Sequence, residues 1–355
     1  MTEDRTVFLH VGMHKTASTY IQNRLRKNRD LLANHKLLYL PMRRDHLKLV
    51  RAVDERHFDP WMKWLQQADQ DGSHLLVSAE ALSIVLAKTH SGEAGGPWLT
   101  RQMRHAGWSV KVLAFVRDQP SYLNSRYTQL VKRLHTLSSF KRYVRHVSKG
   151  GSESECDMNQ LFGWLLAPHS PESLFIPFGR DVSSAAAANQ ERWSASLPPG
   201  INSRDPFDAL LSCLPISANL SYSKVCSSAT NQQPGDLGVR LARRLGRHLR
   251  KNHPHLFEQS RTRAQARVQV ERLVARHNWQ RTPFNGLTPA LWQEIRATYA
   301  HTNDSFARAV WGDHVSWYDV FPDELPRQLE SANKSIDFEK TIDKMLCHLI
   351  VSDNS

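Results

Sequence analysis

The sequence predicts an α/β protein of three layers, α/β/α, in which helices cover both faces of a central parallel sheet, plus a helical C-terminal part. Short runs of apolar and β-branched residues alternate with segments of helical periodicity between Thr6 and Gly179. Such alternation is typical of parallel sheets that are covered by helices. From Leu237 onward, amphipathic and arginine-rich helical segments replace the strand-like runs.

The first half of the alternation begins with a buried strand. "TVFLHVG" (Thr6–Gly12) is apolar and β-branched, and "STYIQNRLRKNRDLL" after it has helical spacing. "KLLYLP" (Lys36–Pro41) predicts a second short strand, which a proline ends. "HLLVSAEALSIVLAK" (His74–Lys88) predicts a strand that continues into a helix, with the change near Ser78–Glu80.

The second half repeats this order. "GGPWLTRQMRHAG" (Gly95–Gly107) predicts a helix with proline in its first turn and glycine after its end. "WSVKVLAFVRD" (Trp108–Asp118) is the clearest strand, and "PSYLNSRYTQLVKRL" (Pro120–Leu134) starts a helix with proline. "SLFIPFG" (Ser173–Gly179) predicts a further strand.

Composition divides the chain into three stretches. Residues 1–180 form the predicted α/β core, and residues 181–236 form an irregular insertion rich in Ala, Ser, Pro and Asn. A loop of this length in a compact domain is usually functional, so we interpret it as a substrate lid. Residues 237–355 are predicted as a mainly helical part of the same domain, and their first helix has a stripe of Leu237, Leu241, Leu245 and Leu249.

The composition also excludes several classes of protein. The chain has 355 residues, of which 40% are hydrophobic, enough for a substantial core. It contains no apolar run of about 18 residues, so we expect no membrane span. The start of the chain is acidic and leaves no room for a signal peptide, and the four cysteines are sparse. We therefore expect a cytoplasmic protein with free thiols.

The chain is strongly basic, with a formal net charge of +13. Such a charge favours anionic partners, for example nucleotides, acidic polysaccharides or nucleic acid. The sequence has no zinc-finger spacing and no aromatic ribonucleoprotein motif, so we expect no nucleic-acid partner. His10 and His14 are four residues apart but fall on a strand and a loop, so we expect no metal site either.

"GMHKTASTY" (Gly12–Tyr20) joins the first strand to the first helix. The backbone N–H groups at the start of a helix are unsatisfied and favour anions. Lys15 adds a positive charge there, and three hydroxyl donors follow, namely Thr16, Ser18 and Thr19. The loop lacks the glycine directly before the lysine that a nucleotide triphosphate with magnesium requires. It therefore predicts a different anion site or, as the alternative, a polar helix cap with an exposed lysine.

A second anion-binding pair follows the clearest strand. Arg117 lies at the end of that strand, and Ser125 lies eight residues further on, about two helical turns into the next helix. Parallel strands present their carboxyl ends at one ligand-binding edge of a sheet. An arginine binds a phosphate through two hydrogen bonds, and the serine can donate another. Together with the loop after the first strand, this pair predicts a ligand with phosphates at two separate positions.

These two motifs resemble those of the sulfotransferases that use 3′-phosphoadenosine 5′-phosphosulfate (PAPS). "GMHKTASTY" is similar to their 5′-phosphosulfate loop, and "RDQPSYLNSRY" is similar to their 3′-phosphate motif. "HVGMHKT" (His10–Thr16) is most similar to bacterial carbohydrate-type members. The chain departs from the family at Ala17, where a glycine is usual, and it lacks the C-terminal Arg-Lys-Gly motif of cytosolic members. The resemblance implies a P-loop/sulfotransferase-like fold.

The resemblance also implies roles for the residues of both motifs. Lys15 would contact the sulfonate and the 5′-phosphate and stabilise the charge on the leaving group. Arg117 and Ser125 would bind the 3′-phosphate and so select PAPS, with no metal required. The loop would hold the 5′-phosphate of PAPS and of its product, 3′-phosphoadenosine 5′-phosphate, through Gly12, His14, Lys15, Thr16, Ala17, Ser18 and Thr19.

The acceptor hydroxyl needs a base, and Glu80 is the candidate. It ends the predicted strand "HLLVSAE", at the same sheet edge as Lys15. The alternative is a glutamate that only stabilises the start of a helix. Three rival candidates lie in "DHLKLVRAVDERHFDPW", a segment predicted as a charged loop, and we interpret each first as a contact to the acceptor or as part of a solvated face. They are His46, Glu55 and His57.

The sequence therefore predicts a PAPS-dependent sulfotransferase that acts on a hydroxyl of a glycan, a glycolipid or a small molecule. The alternative is a non-catalytic nucleotide- or nucleic-acid-binding α/β protein that has lost transfer activity. A P-loop kinase is disfavoured, because the loop lacks the Gly-Lys-Ser/Thr element and no magnesium-binding carboxylate is evident.

Overall fold

A computed structural model describes residues 5–149, 154–179, 205–216, 233–321 and 337–353 of the chain. These residues form two compact units. The first unit contains the described residues 5–118, 154–179, 205–216 and 299–321, and the second contains 119–149, 233–298 and 337–353. Each unit therefore combines segments that are far apart in the sequence.

The first unit is built on a parallel sheet of five strands flanked by helices. In chain order the strands are β1 (Thr6–His10), β2 (Leu37–Tyr39), β3 (His74–Ser78), β4 (Thr89–His90), β5 (Glu93–Ala94), β6 (Ser109–Val116) and β7 (Glu172–Pro177). β4 and β5 form a separate antiparallel hairpin, and the other five strands have the order β2-β3-β1-β6-β7. The predicted α/β class with a central parallel sheet is confirmed, and each strand of the sheet overlaps a segment predicted as a strand.

β1 lies in the middle of this sheet. Val7 pairs with Leu75 of β3 on one side and with Val110 of β6 on the other. Val7 and Leu75 are fully buried. Such strands are apolar in succession because both of their faces are covered, and this explains the continuous hydrophobic runs in the sequence.

The pairing with β6 continues beyond the end of β1. The Val11 N–H donates to the Leu113 carbonyl at 3.0 Å, and the Met13 N–H donates to the Phe115 carbonyl at 3.1 Å. The chain that follows β1 is therefore held at the carboxyl end of β6 before it turns into the first helix.

Helices make up most of the remaining described chain. In chain order they are α1 (Ser18–Lys27), α2 (Arg29–Asn34), α3 (Arg43–Asp54), α4 (Asp59–Gln70), α5 (Leu82–Ala87), α6 (Gly95–His105), α7 (Gln119–Lys132), α8 (Phe140–Ser148), α9 (Met158–Phe162), α10 (Pro206–Leu211), α11 (Gly235–Asn252), α12 (Pro254–Glu258), α13 (Ser260–His277), α14 (Pro289–Trp311), α15 (Trp317–Val320) and α16 (Phe338–Asp353). None of the described helices has the length and apolar character needed to cross a membrane.

α3 corrects the prediction of a charged loop over this part of the chain. The helix buries residues at helical spacing, namely His46, Leu49, Val50 and Val53. The prediction was wrong because charged residues fill the positions between them and hide a short apolar stripe. The helix directs His46 into the interior, and Glu55 follows directly after its last residue.

The second unit is helical. α11 packs against α7 and α13, and the predicted leucine stripe is confirmed by the burial of Leu237, Leu241, Leu245 and Leu249. Asn124 on α7 fixes the segment before α14. Its side chain donates to the Phe284 carbonyl at 3.0 Å and accepts from the Gly286 N–H at 2.9 Å.

Part of the predicted insertion is described. It contains α10, which Asp205 caps at its N-terminus. The Asp205 carboxylate also pairs with the buried Arg24 at 2.5 Å, so that α10 is tied to α1. Residues 181–204 and 217–232, Cys226 included, lie outside the described residues. Among the described cysteines, Cys213 and Cys347 are free thiols.

Candidate functional site

The loop that follows β1, residues 12–19, is called the β1 loop below, and it turns through residues of positive φ. Gly12, Lys15 and Ala17 have φ angles of 34°, 69° and 61°. A left-handed conformation costs a non-glycine residue about 1–2 kcal/mol, whereas glycine adopts it freely. The surrounding contacts therefore have to hold Lys15 and Ala17 in place.

α1 begins at the end of this loop without a side-chain cap. Ala17 occupies the N-cap position, and no side chain of the described residues caps it. The first N–H groups of an α-helix have no partner within the helix, and the helix dipole adds partial positive charge there. The β1 loop therefore presents backbone donors of the kind that bind anions.

The three predicted hydroxyl donors have different surroundings. Thr16 is buried and donates to the Met13 carbonyl at 2.7 Å, so it stabilises the turn. Thr19 is exposed. Ser18 is buried, and its Oγ has no hydrogen-bond partner among the described residues. Because an unsatisfied buried polar atom costs about 1–3 kcal/mol, Ser18 Oγ is the hydroxyl best suited to bind a ligand atom.

Three polar side-chain atoms lie close to Gly12. Each of the following lies within 3.4 Å of the position that a Cβ on Gly12 would take: Ser18 Oγ, Thr16 Oγ1 and His10 Nε2. His10 is fully buried, and its Nδ1 lies 2.8 Å from Ser78 Oγ. Its Nε2 has no hydrogen-bond partner in the described part of the chain. Burial lowers the pKa of His10 to about 4, so the ring is neutral at neutral pH.

Arg117 contacts the β1 loop from the end of β6. Its Nη1 donates to the Lys15 carbonyl at 2.7 Å, and its guanidinium lies 5.4 Å from the ring centroid of Phe178. Both Arg117 and Lys15 are half-buried. The structure therefore brings together two residues that the sequence assigned to different phosphates, and the arginine fixes the backbone that carries the lysine.

His14 lies between two carboxylates. Its Nδ1 is 2.7 Å from Glu155 Oε1, and its backbone N–H donates to Glu155 Oε2 at 3.1 Å. On the other side, its Nε2 is 3.9 Å from Glu80 Oε1. The Glu155 side chain is 3% exposed and the Glu80 side chain 30%. An ionised carboxylate only accepts hydrogen bonds, so the short contact with Glu155 places a hydrogen on Nδ1.

Glu80 and His14 line a cavity of about 210 Å³ at the carboxyl end of β3. Tyr39 is in its wall, and two exposed arginines, Arg26 and Arg43, contribute to its lining. Burial raises the pKa of Tyr39, so its phenol is neutral. Pockets for whole drug-sized ligands have volumes of about 300–1,000 Å³. The cavity therefore suits one group of an acceptor better than an entire large molecule.

His46 belongs to the same cavity wall. It is buried, and its Nδ1 accepts a hydrogen bond from the Ser78 N–H at 3.2 Å. Burial lowers its pKa to about 4. The structure thus places His46 with Glu80 and His14, but the ring also supports the end of β3.

Glu55 and His57 lie outside this cavity lining. Glu55 forms an exposed ion pair with Arg51 at 2.7 Å. His57 is exposed as well, and its Nε2 is 2.9 Å from Asp59. The structure does not bring these two candidates together with Glu80.

Ser125 belongs to the second unit. It is buried on α7, and its carbonyl accepts from Thr128 Oγ1 at 2.8 Å. Arg117 belongs to the first unit. The joint role of Arg117 and Ser125 at one 3′-phosphate stays a prediction.

Sequence reasoning missed two residues of the site. Glu155 lies in the short 3₁₀ turn Ser154–Cys156, where a glutamate in the polar stretch "GSESEC" resembles a surface residue. Its partner His14 is 141 residues away, so no local signal exists. The sequence predicted no role for His10 in the site, although its position at the end of a buried strand indicates that it is buried.

The fold and the site define an α/β protein with a candidate anion site at the carboxyl edge of its sheet. Comparisons with protein-family models, curated proteins and solved structures gave no match. The functional interpretation therefore rests on the fold and on the geometry of the site.

Proposed function

We propose that the protein is a PAPS-dependent sulfotransferase with a P-loop/sulfotransferase-like fold. The observation that carries the proposal is the β1 loop, where a lysine, an uncapped helix start and an unpartnered buried serine hydroxyl come together. The loop follows the central strand, which has β3 on one side and β6 on the other. Ligands of open parallel sheets bind beyond the carboxyl ends of the strands at such a position.

The β1 loop supplies the contacts that a phosphosulfate group needs. The N–H groups at the start of α1 and Ser18 Oγ would bind the 5′-phosphate. Lys15 would contact the sulfonate and the bridging oxygen, where negative charge develops during transfer. Ser18 Oγ and His10 Nε2 both lie beside Gly12, at the start of the same loop. The residues present therefore fit the donor.

Arg117 has two tasks in this proposal. Its Nη1 holds the Lys15 carbonyl, and its charge attracts the 3′-phosphate of the donor. Ser125 on α7 is the second predicted contact to that phosphate. This pair would select PAPS over adenosine 5′-phosphosulfate, which lacks the 3′-phosphate.

The acceptor would place its hydroxyl in the cavity beside Glu80. Sulfuryl transfer resembles phosphoryl transfer, in which positioning and charge stabilisation dominate over covalent chemistry. The hydroxyl oxygen attacks sulfur in line with the leaving phosphate, and Lys15 stabilises that phosphate. Glu80 is the carboxylate that assists removal of the hydroxyl proton. The acceptor class is a hydroxyl of a glycan, a glycolipid or a small molecule.

The proposal is tested by the choice of nucleotide that stabilises the protein. We expect 3′-phosphoadenosine 5′-phosphate, at about 100 times its dissociation constant, to add about 2.7 kcal/mol to the free energy of unfolding. ATP with magnesium should have a much smaller effect at the same concentration, and Lys15→Ala should reduce the first response. Transfer is then measured with radiolabelled PAPS and a panel of hydroxyl acceptors.

Two results would count against the proposal. Stabilisation by ATP with magnesium alone would favour a nucleotide triphosphate site. Binding of 3′-phosphoadenosine 5′-phosphate without transfer to any acceptor would favour the non-catalytic nucleotide-binding protein.

A further inference from the structure

We infer that His14, oriented by Glu155, is the general base that takes the proton from the acceptor hydroxyl, and this inference rests on the proposed transferase activity. The observation behind it is the imidazole held between a buried carboxylate and a carboxylate that lines the cavity. The sequence assigned His14 only to the donor loop and did not single out Glu155.

Glu155 fixes both the position and the tautomer of His14. It accepts from the His14 backbone N–H and contacts Nδ1 of the same residue. With the hydrogen on Nδ1, the neutral ring has its lone pair on Nε2. In hydrolases with a catalytic triad, a carboxylate holds the histidine in this same tautomer and so prepares it to act as the base.

In its neutral form, the His14 ring can offer the lone pair on Nε2 to the acceptor. His14 and Glu80 both line the 210 Å³ cavity. The distance of 3.9 Å from Nε2 to Glu80 Oε1 is too long for a hydrogen bond, so Glu80 does not occupy Nε2. It is short enough for the negative carboxylate to stabilise an imidazolium once His14 has taken a proton.

The Glu155 carboxylate is buried where it faces the His14 ring. Burial of a carboxylate carries a desolvation cost. A neutral amide oxygen could accept from the same N–H groups at a lower cost. A buried carboxylate is, in contrast, suited to stabilise a positive charge that appears on His14 during the reaction.

The acceptor oxygen forms a bond to sulfur while the bond from sulfur to the bridging oxygen of PAPS breaks. The electron pair of the broken bond stays on the 5′-phosphate, next to Lys15. The hydroxyl proton moves to His14 Nε2, which gives a sulfate ester, 3′-phosphoadenosine 5′-phosphate and an imidazolium that Glu80 and Glu155 flank. Release of that proton to solvent restores the base.

The first test is spectroscopic and does not depend on activity. Long-range ¹H–¹⁵N spectra of histidine-labelled wild-type protein distinguish the two neutral tautomers, and the His14 signals are identified as those missing in His14→Gln. We expect the Nδ1–H form in the wild type and a loss of this preference in Glu155→Gln, because an amide can also donate to Nδ1. An Nε2–H form of His14 in the wild type overturns the inference.

The second test separates turnover from donor binding. The probes are radiolabelled PAPS with p-nitrophenol and with p-nitrophenyl β-glucoside, and calorimetry with 3′-phosphoadenosine 5′-phosphate. We expect His14→Gln to lower kcat by about 10²–10⁴-fold and Glu155→Gln by up to about 10⁴-fold, the loss that a wrong histidine tautomer causes, with donor-product affinity changed less than threefold. Glu80→Gln should lower kcat by only about tenfold, since it removes a stabilising charge and not the base. His105→Gln, an exposed histidine at the end of α6, serves as the matched control.

The outcomes separate this inference from the proposed function. A wild type that transfers sulfuryl groups, with His14→Gln retaining kcat within about threefold, overturns the role of His14 and leaves the function in place. If the wild type transfers sulfuryl groups to neither probe and to no other hydroxyl, the proposed function is contradicted. The tautomer of His14 then still shows whether Glu155 orients the ring. If His14→Gln and Glu155→Gln both lose donor-product affinity together with kcat, the two residues maintain the structure of the β1 loop. This result overturns the inference.

Discussion

Two cavities of the first unit lie at opposite ends of its sheet and differ in chemistry. The larger, about 730 Å³, is lined by Thr6, Ser109 and Glu172, which begin β1, β6 and β7. The smaller, about 210 Å³, lies at the carboxyl end of β3. In the larger cavity Lys111 and Glu172 form an ion pair at 2.5 Å, so these charges compensate each other. The smaller one contains the His14 and Glu80 pair, and their side chains leave a gap between them.

Turns at both ends of the sheet contain residues of positive φ, and those at the amino end include Lys36 ahead of β2 and His169 ahead of β7. Ahead of β3 and β6, the positive φ angles belong to glycines, Gly72 and Gly107. In the β1 loop they also belong to Lys15 and Ala17. Residues held in an unfavourable conformation persist where surrounding contacts enforce them, and they are concentrated at functional sites.

Strand direction, not cavity size, locates the candidate site. At the carboxyl end the chain enters α1, with its uncapped N–H groups and nearby lysine. At the amino end the strands begin, and Cys213 in that cavity has a pKa raised by burial to about 12, so its thiol stays protonated. Of these two cavities, we therefore expect catalytic activity only at the smaller one.

The largest effect is expected from Lys15→Ala. The substitution removes a preorganised charge at the leaving group and should lower turnover by about 10²-fold or more. The matched control is Lys111→Ala in the larger cavity, which should leave turnover unchanged although it breaks the pair with Glu172. Turnover is measured with radiolabelled PAPS for all three proteins. Equal losses of turnover in Lys15→Ala and Lys111→Ala would contradict a functional difference between the two ends of the sheet.

Arg117→Ala should act mainly on donor affinity. A hydrogen bond to a charged group contributes about 1.5–3 kcal/mol, and the variant also loses the contact to the Lys15 carbonyl. We expect weaker binding of 3′-phosphoadenosine 5′-phosphate by that amount in calorimetry, and a smaller preference for PAPS over adenosine 5′-phosphosulfate. Ser125→Ala should reduce the same preference. Arg104→Ala, an exposed arginine at the larger cavity, is the control. An unchanged preference in Arg117→Ala would mean that the 3′-phosphate is bound by other residues.

Acidification should weaken the fold at the carboxyl end of the sheet. Burial lowers the pKa of His10 and of His46 to about 4, below the ordinary histidine value of 6.5. The unfolded chain then binds more protons than the folded one between these values, so stability is lost as the pH falls through this window. Each histidine should cost about 2 kcal/mol between about pH 7 and pH 5. Urea unfolding at both pH values measures this loss in the free energy of unfolding. His10→Gln should lose only about half as much stability as the wild type. An identical loss in both proteins would contradict the assignment to His10.

The smallest effect is expected from Ala17→Gly. Glycine relieves a left-handed conformation that costs alanine about 1–2 kcal/mol, but it also increases the entropy of the unfolded chain by about 0.4–1 kcal/mol. We expect a net stabilisation of about 0.5 kcal/mol in urea unfolding. Ala264→Gly, in the interior of α13, should instead destabilise by about 1 kcal/mol. Destabilisation of similar size at Ala17 would show that the loop needs alanine there.

Much of the fold could be predicted from the sequence, because its signals are local. The strand of residues 109–116 follows from continuous apolar character, and the helix of residues 119–132 follows from helical periodicity after a proline. The prediction failed at α3, where a narrow apolar stripe lies among charged residues. The conformation of residues 181–204 and 217–232 was predicted as irregular, and this part lies outside the described residues.

The sequence by itself determined the parallel sheet and the β1 loop with Lys15 at the start of a helix, because hydrophobic runs, glycine and helix starts act over a few residues. Only the tertiary structure decided which groups face one another across the site. Glu155 is 141 residues from His14, and Arg117 contacts the Lys15 carbonyl across 102 residues. Such pairs form when strand order and helix packing bring distant segments together, and a buried carboxylate becomes informative only when its partner is known.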